Sequence, residues 1–200
     1  MRKDALRNRQ RVLEAADAMF REHGVEVSVG EIADAAGVGR GTLFRNFRNK
    51  DALIAAVLAE RLSEVLDFGR QLLEHDPDDA EVTFTFVAGL VDRQEENRAL
   101  LQAVTDDLIM AVPELHGAHA ALLELLGALL ARGKRVGAIR PEATATDLMM
   151  LVKGLCMYTV VDQQPLPPET IVRHLDLVRA AMTMPEYSRP LRGEPAPLPV

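Results

Sequence analysis

The chain has 200 residues, with 30 Asp and Glu against 23 Lys and Arg, a formal net charge of −7. Its single cysteine, Cys156, excludes an intrachain disulfide and suits a reducing cytoplasm. No apolar run approaches the length of a membrane span and no signal-peptide pattern follows Met1, so a cytoplasmic protein with no membrane partner is expected.

The acidic total hides an asymmetry. Residues 1–50 hold 10 Lys and Arg against 7 Asp and Glu, whereas residues 51–200 hold 13 against 23. A basic head on an acidic body is the distribution expected when only one end meets DNA.

The first stretch, MRKDALRNRQR, sets Arg2, Lys3, Arg7, Arg9 and Arg11 ahead of an amphipathic helix. In that helix Val12, Leu13, Ala16, Met19 and Phe20 recur at helical spacing, and His23-Gly24 ends the run. Ser28–Phe47 then reads as two short helices joined by a glycine turn. Ser28 and Glu31 have the spacing of a capping box. Ile32, Ala33 and Ala36 line one face, and Gly37 stands where a left-handed C-cap is needed. The second helix begins near Arg40, with Leu43 and Phe47 spaced i, i+4 to pack inward. Its other face offers Arg40, Thr42, Arg45 and Asn46, donors suited to phosphates and base edges. This is a helix-turn-helix, and its second helix is the one to enter a major groove of double-stranded DNA.

Asn49 caps a further helix, with Lys50 at its first position and an apolar stripe from Leu53 to Leu66 that carries it to about Glu74. Its length makes it the mechanical link from head to body. Helices are expected next from Asp76-Pro77 through Phe84, Val87, Leu90 and Val91, over about Asn97–Ala111, and from Pro113 to Gly137. Thr144-x-x-Asp147 caps a helix ending near Val161, and Pro167-Pro168 opens a last one holding Ile171, Leu175, Val178 and Met182. No alternating strand pattern appears, so the fold class is all-α. Prolines at 185, 190, 195, 197 and 199 make residues 185–200 an extended or mobile tail.

The helix over Ala145–Val161 is apolar on nearly every side and must be covered all round. A second subunit is the simplest cover. Leu148, Leu155, Ile171, Leu175, Val178 and Met182 are the interface expected from it and the last helix.

The pattern Ser28-x-x-x-Ile32-Ala33-x-x-Ala36-Gly37-Val38-x-x-Gly41-Thr42-x-Phe44-x-x-Phe47-x-x-Lys50-x-x-Leu53 resembles the TetR family of bacterial transcriptional regulators over about residues 5–60. Gly39, Phe44 and Asn46 depart from the usual Ser, Tyr, and His or Tyr. Phe44 has no hydroxyl, so the phosphate bond of the family's Tyr is not carried over. The resemblance implies a homodimer on a palindromic operator, contacted through Ser28, Arg40, Gly41, Thr42, Phe44, Arg45, Asn46 and Lys50. It also implies a basic first helix that reaches the DNA backbone, and a small molecule in the body that moves the connecting helix. The organisation expected is a DNA-binding head over 1–50, extending to about 66, a ligand-binding and dimerisation body over 51–184, and the tail.

Flexible methionines beside phenylalanines suit an adaptable pocket for a small hydrophobic ligand, with Phe68, Leu72, Phe84, Val87, Met150 and Lys153 as its candidate lining. Lys153 either snorkels outward or faces a carboxylate. His116-x-x-His119, with Asp106 and Asp107 upstream, lacks a third residue at firm ligand spacing, so no metal or cofactor is expected. Gly37-x-Gly39-x-Gly41 follows no strand and is no nucleotide loop. No nucleophile–base or paired-carboxylate arrangement points to an enzyme. The alternatives to a ligand-released repressor are an activator, or a helical interaction protein with a degenerate helix-turn-helix.

Overall fold

A computed structural model describes residues 2–75, 81–93, 106–157, 160–161, 164–165, 167–187 and 189–192. The fold is all-α. In chain order the helices are α1 (Arg2–His23), α2 (Val29–Ala35), α3 (Arg40–Asn46), α4 (Lys50–His75), α5 (Val82–Asp92), α6 (Asp106–Ala111), α7 (Pro113–Arg135), α8 (Ala145–Met157) and α9 (Pro168–Met182). The expected cap at Asp76-Pro77 and the start of the helix expected from Asn97 lie outside the described residues.

Helix α1 begins at Arg2 instead of following the basic segment. Arg, Lys, Asn and Gln with Ala and Leu between them contain no helix breaker, so the charged turns simply extend the amphipathic ones. Helix α8 stops at Met157, short of the expected Val161. Val160 and Val161 instead pair antiparallel with Pro165 and Gln164 in a two-residue ladder. Both valines are β-branched, and the prolines at 165, 167 and 168 cannot continue a helix interior.

The chain divides into two compact units, Met1–Glu64 with Glu95–Ala120, and Val65–Gln94 with Ala121–Val200. In the first unit Val12, Leu13, Ala16 and Phe20 of α1 are buried with Ile32 and Ala33 of α2, Leu43 of α3, Leu53, Val57 and Leu58 of α4, and Ile109 and Leu115. Arg61 of α4 is buried beside this core and donates to Asp17 of α1, which also meets Arg21 at 2.7 Å.

In the second unit Phe86 and Val87 of α5 are buried, as are Leu126 and Leu129 of α7, Leu148 of α8 and Val178 of α9. The Phe68 ring stacks on Phe86 with centroids 6.0 Å apart. Arg132 of α7 is buried and donates to the carbonyls of Leu72 and Leu73 in the last turn of α4. Thr144 and Asp147 exchange backbone-to-side-chain hydrogen bonds of 2.9 and 3.1 Å across the first turn of α8, the cap expected from their spacing.

The expectation of a loose tail is corrected for its described part. Pro185–Tyr187 forms a 3₁₀ turn, and Tyr187 donates its hydroxyl to the Val136 carbonyl at 3.3 Å. Arg189 meets Glu81 at 3.2 Å, and Arg192 grips the buried Asp176 with both side-chain and backbone donors. Proline content predicts extension, but it says nothing about ion pairs to distant carboxylates, and these hold the segment. Residues 193–200 lie outside the described residues.

Candidate nucleic-acid interface

The geometry of the head follows from local chemistry. The Ser28 backbone N–H donates to Glu31 Oε2 at 2.9 Å, and the Glu31 N–H donates to Ser28 Oγ at 3.3 Å, which closes the capping box at the start of α2. Hydrogen bonds from Ser28, side chain first and backbone second, hold the Glu31 carboxyl below the usual glutamate range. At the other end Gly37 takes φ +61°, a conformation that residues with a Cβ rarely adopt. The chain reverses there, and the Val38 N–H returns to the Ala33 carbonyl at 3.0 Å.

Gly39 caps α3 through its backbone alone, with its carbonyl accepting from Thr42 and Leu43. Leu43 and Phe47 are buried on the inner side of α3. Arg40, Gly41, Phe44 and Arg45 are exposed on the outer side, Phe44 at 50 %. An aromatic ring half in water at the centre of a basic helix face is ready for apolar contact, and thymine methyl groups offer such contact in a major groove.

The donors of this face are held close to the protein. Arg45 Nε donates to the Gly41 carbonyl at 3.1 Å and its Nη2 to Thr42 Oγ1 at 2.9 Å. Asn46 Nδ2 donates to the Thr42 carbonyl at 2.8 Å. The Arg40 guanidinium rests on Gly30 of α2, where an added Cβ would come within 2.4 Å of Nη2. Each arginine is thus held by a local contact. Lys50 is half-buried at the first position of α4, and Asn49 Oδ1 caps that helix by accepting from the Ala52 N–H at 2.8 Å.

Two side chains make contacts with the head that the sequence did not announce. Arg11 reaches the Gly37 carbonyl at 3.4 Å, and Arg9 lies over the Phe47 ring, 5.1 Å from its centroid. Both belong to the expected basic start of α1. Their individual contacts are long-range, and no local pattern announces them.

The other sequence-expected sets lie in the second unit. Phe68, Leu72 and Phe84 are half-buried and Val87 is buried, whereas Met150 and Lys153 are exposed on α8, Met150 at 69 %. Guanidinium groups cover two of the rings, Arg93 over Phe68 and Arg179 over Phe84, at 4.7 and 4.5 Å from the centroids. Leu148, Leu155, Val178 and Met182 are buried inside their own unit, and Ile171 and Leu175 are half-buried. Among the described side chains of α8 and α9, the large apolar ones left exposed are Met150, Leu151 and Leu177. Among the described residues no three His, Cys, Asp or Glu side chains gather as metal ligands, and no helix is long and apolar enough to cross a membrane.

Comparison with known proteins agrees with this arrangement. The model of the tetR family of bacterial regulatory proteins matches residues 12–57, and that of the C-terminal domain of SbtR-like transcriptional regulators matches residues 76–183. A TetR transcription regulatory protein from Mycobacterium vanbaalenii is 33% identical, with a TM-score of 0.62 over 92% of this chain and 99% of that one. The HTH-type transcriptional regulator SAB2452 of Staphylococcus aureus is 36% identical over 105 residues, 52% of this chain. That match spans 57% of the relative, so the chain aligns with little more than half of its length. SmeT of Stenotrophomonas maltophilia, solved as a complex with triclosan, shares the fold at 22% identity, with a TM-score of 0.62 over 96% of this chain and 99% of that one. The chain belongs to the TetR family of bacterial transcriptional regulators, which are non-enzymatic DNA-binding proteins.

Proposed function

We propose that the protein is a homodimeric repressor that binds a palindromic operator through α3 and leaves it when a small apolar effector occupies the body. The observation that carries the DNA half of this reading is the outer face of α3: Arg40, Phe44 and Arg45 exposed, with Leu43 and Phe47 anchoring the helix from behind. In this reading Arg40, Arg45 and Phe44 meet base edges. Thr42, Asn46 and Lys50 position the head on phosphates, with Gly41 allowing close approach and Ser28 fixing the start of α2.

The dimer half rests on Met150, Leu151 and Leu177, an exposed apolar set on the two helices expected to pair. Three large apolar side chains on one helix pair favour a covered face over a solvated one. The effector half rests on the half-buried Phe68, Leu72 and Phe84 and the buried Val87 of the second unit, and on the fold shared with SmeT, which is known with triclosan bound. Helix α4, with Lys50 at one end and Leu72 near the other, is the element whose position both ligands would bias. By linkage, an effector that weakens DNA binding by some factor is itself weakened by DNA to the same extent.

The experiment selects duplexes from a random pool with purified protein and measures the mass of the complex formed. Two chains per palindromic duplex, with half-sites about 34–36 Å apart, are expected. Apolar compounds found by thermal shift are then titrated with and without that duplex. One chain per duplex would remove the dimer, and equal ligand affinity in both titrations would remove that compound as effector.

A further inference from the structure

The first unit contains a cavity of about 310 Å³ beside the DNA-facing helix, with Asn46 and Arg9 in its lining. Its floor is apolar. Phe47 borders it at the end of α3, Ala52 and Ala56 lie one turn apart on α4, and Val112 and Pro113 close it where α6 passes into α7. Alanine at 52 and 56 is what leaves the space, because a longer side chain at either position would project into it.

The rim is polar and carries a surplus of positive charge. Arg9 and Arg48 stand there against one carboxylate, Glu114. Arg9 is stacked on the Phe47 ring, so one cation already sits beside the aromatic part of the floor. Neither Arg9 nor Arg48 forms an ion pair within 4.0 Å with a described residue, and Arg9 acts at longer range on Glu60, where its charge opposes the upward push of burial on that carboxyl. Two guanidinium groups without such partners, above an apolar floor, match a molecule with an anionic head and an apolar body. A cation would meet both guanidinium groups, and a bare inorganic anion would leave the floor unused. The volume is at the small end of ligand sites and has room for a one-ring compound.

We propose that this cavity binds a small aromatic carboxylate, its ring on Phe47 and the two alanines and its carboxylate held by Arg9 and Arg48. Guanidinium and carboxylate match in plane and in donor spacing, which favours this head group over a neutral amide. The site lies wholly within the first unit and shares no residue with the effector lining suggested for the body.

The test titrates the full-length protein calorimetrically with benzoate, benzamide and inorganic phosphate, and locates binding by backbone amide chemical shifts. Saturable benzoate binding is expected, about tenfold or more tighter than benzamide or phosphate, as the loss of a charge-assisted hydrogen bond implies. The shifts should involve residues 46–52 and 111–114. Arg48→Gln should weaken benzoate by about tenfold, and Ala52→Leu should abolish binding by filling the floor. Arg48 is exposed, so its variant carries the test even if Ala52→Leu fails to fold. The proposal is overturned by absent benzoate saturation, by benzamide or phosphate binding equally well, by an unchanged affinity in Arg48→Gln, or by shifts confined to residues 121–192.

Discussion

Arg61 on α4 donates its Nε to Asp17 on α1 at 2.5 Å, with the arginine side chain only 8 % exposed. This ion pair ties the helix that carries the basic N-terminal segment to the helix that starts at Lys50, inside the same unit. A buried charge that loses its partner is costly, more so than the intact pair is stabilising. Asp17→Ala should therefore destabilise the protein by about 1–3 kcal/mol, because it removes the carboxylate that a buried guanidinium donates to. Replacing both residues with leucine should recover most of that loss. Denaturant melts of the two variants check this, and equal losses in both would mean that the pair's charge is not what matters.

The exposed and buried sides of α9 separate assembly from folding. Leu177 is 45 % exposed and Val178 is buried, though they are adjacent. Leu177→Glu should give folded monomers, because the new charge meets only the proposed partner surface. Val178→Glu should instead lower the melting temperature sharply, because a carboxylate enters the unit's own core. Light scattering and circular dichroism read the two outcomes, and a stable Leu177→Glu dimer would move the interface elsewhere.

The Asp176–Arg192 clasp predicts a pH window. The Arg192 side-chain hydrogen bonds hold the Asp176 carboxyl below the usual aspartate range, in spite of its burial. A carboxylate with a lowered folded-state pKa adds stability that is present above its unfolded value, about 3.9. That stability is lost as pH falls through the lower folded value. The segment 189–192 should stay docked at neutral pH and release in acid, whereas Asp176→Asn should release it at every pH. Tryptic cleavage after Arg192, which Gly193 follows, is the readout. Equal cleavage of wild type and Asp176→Asn at pH 7 would contradict the clasp.

What the sequence makes legible here is chemistry that closes within four residues. Ser28 with Glu31, Asn49 with Ala52 and Thr144 with Asp147 each fix a helix start through a contact one turn away, and spacing alone reveals such contacts. Leu43 and Phe47 likewise declare the inner face of α3, and so the outer one. Arg61 finds Asp17 across 44 positions and Arg132 finds the end of α4 across 60, and no periodicity encodes either pairing. Helix α8 posed a different problem. Apolar on nearly all sides, it has no polar face to mark outward, so sequence could not tell that Leu148 faces inward while Met150 and Leu151 face out.

The central claim is that α3 reads a specific DNA site, and the salt dependence of affinity tests it most directly. Wild type, Arg40→Ala and Lys50→Ala are titrated at several salt concentrations on the selected duplex and on a scrambled one. The wild type should prefer the selected duplex by about 10³ or more, with affinity falling steeply as salt rises. Arg40→Ala should cost about 1–3 kcal/mol on the selected duplex and relax preference at one base pair. Lys50→Ala should weaken both duplexes alike and reduce the salt slope by about one unit. Equal wild-type affinity for the two duplexes, with slopes that neither substitution changes, would contradict the assignment of α3 and Lys50 to DNA.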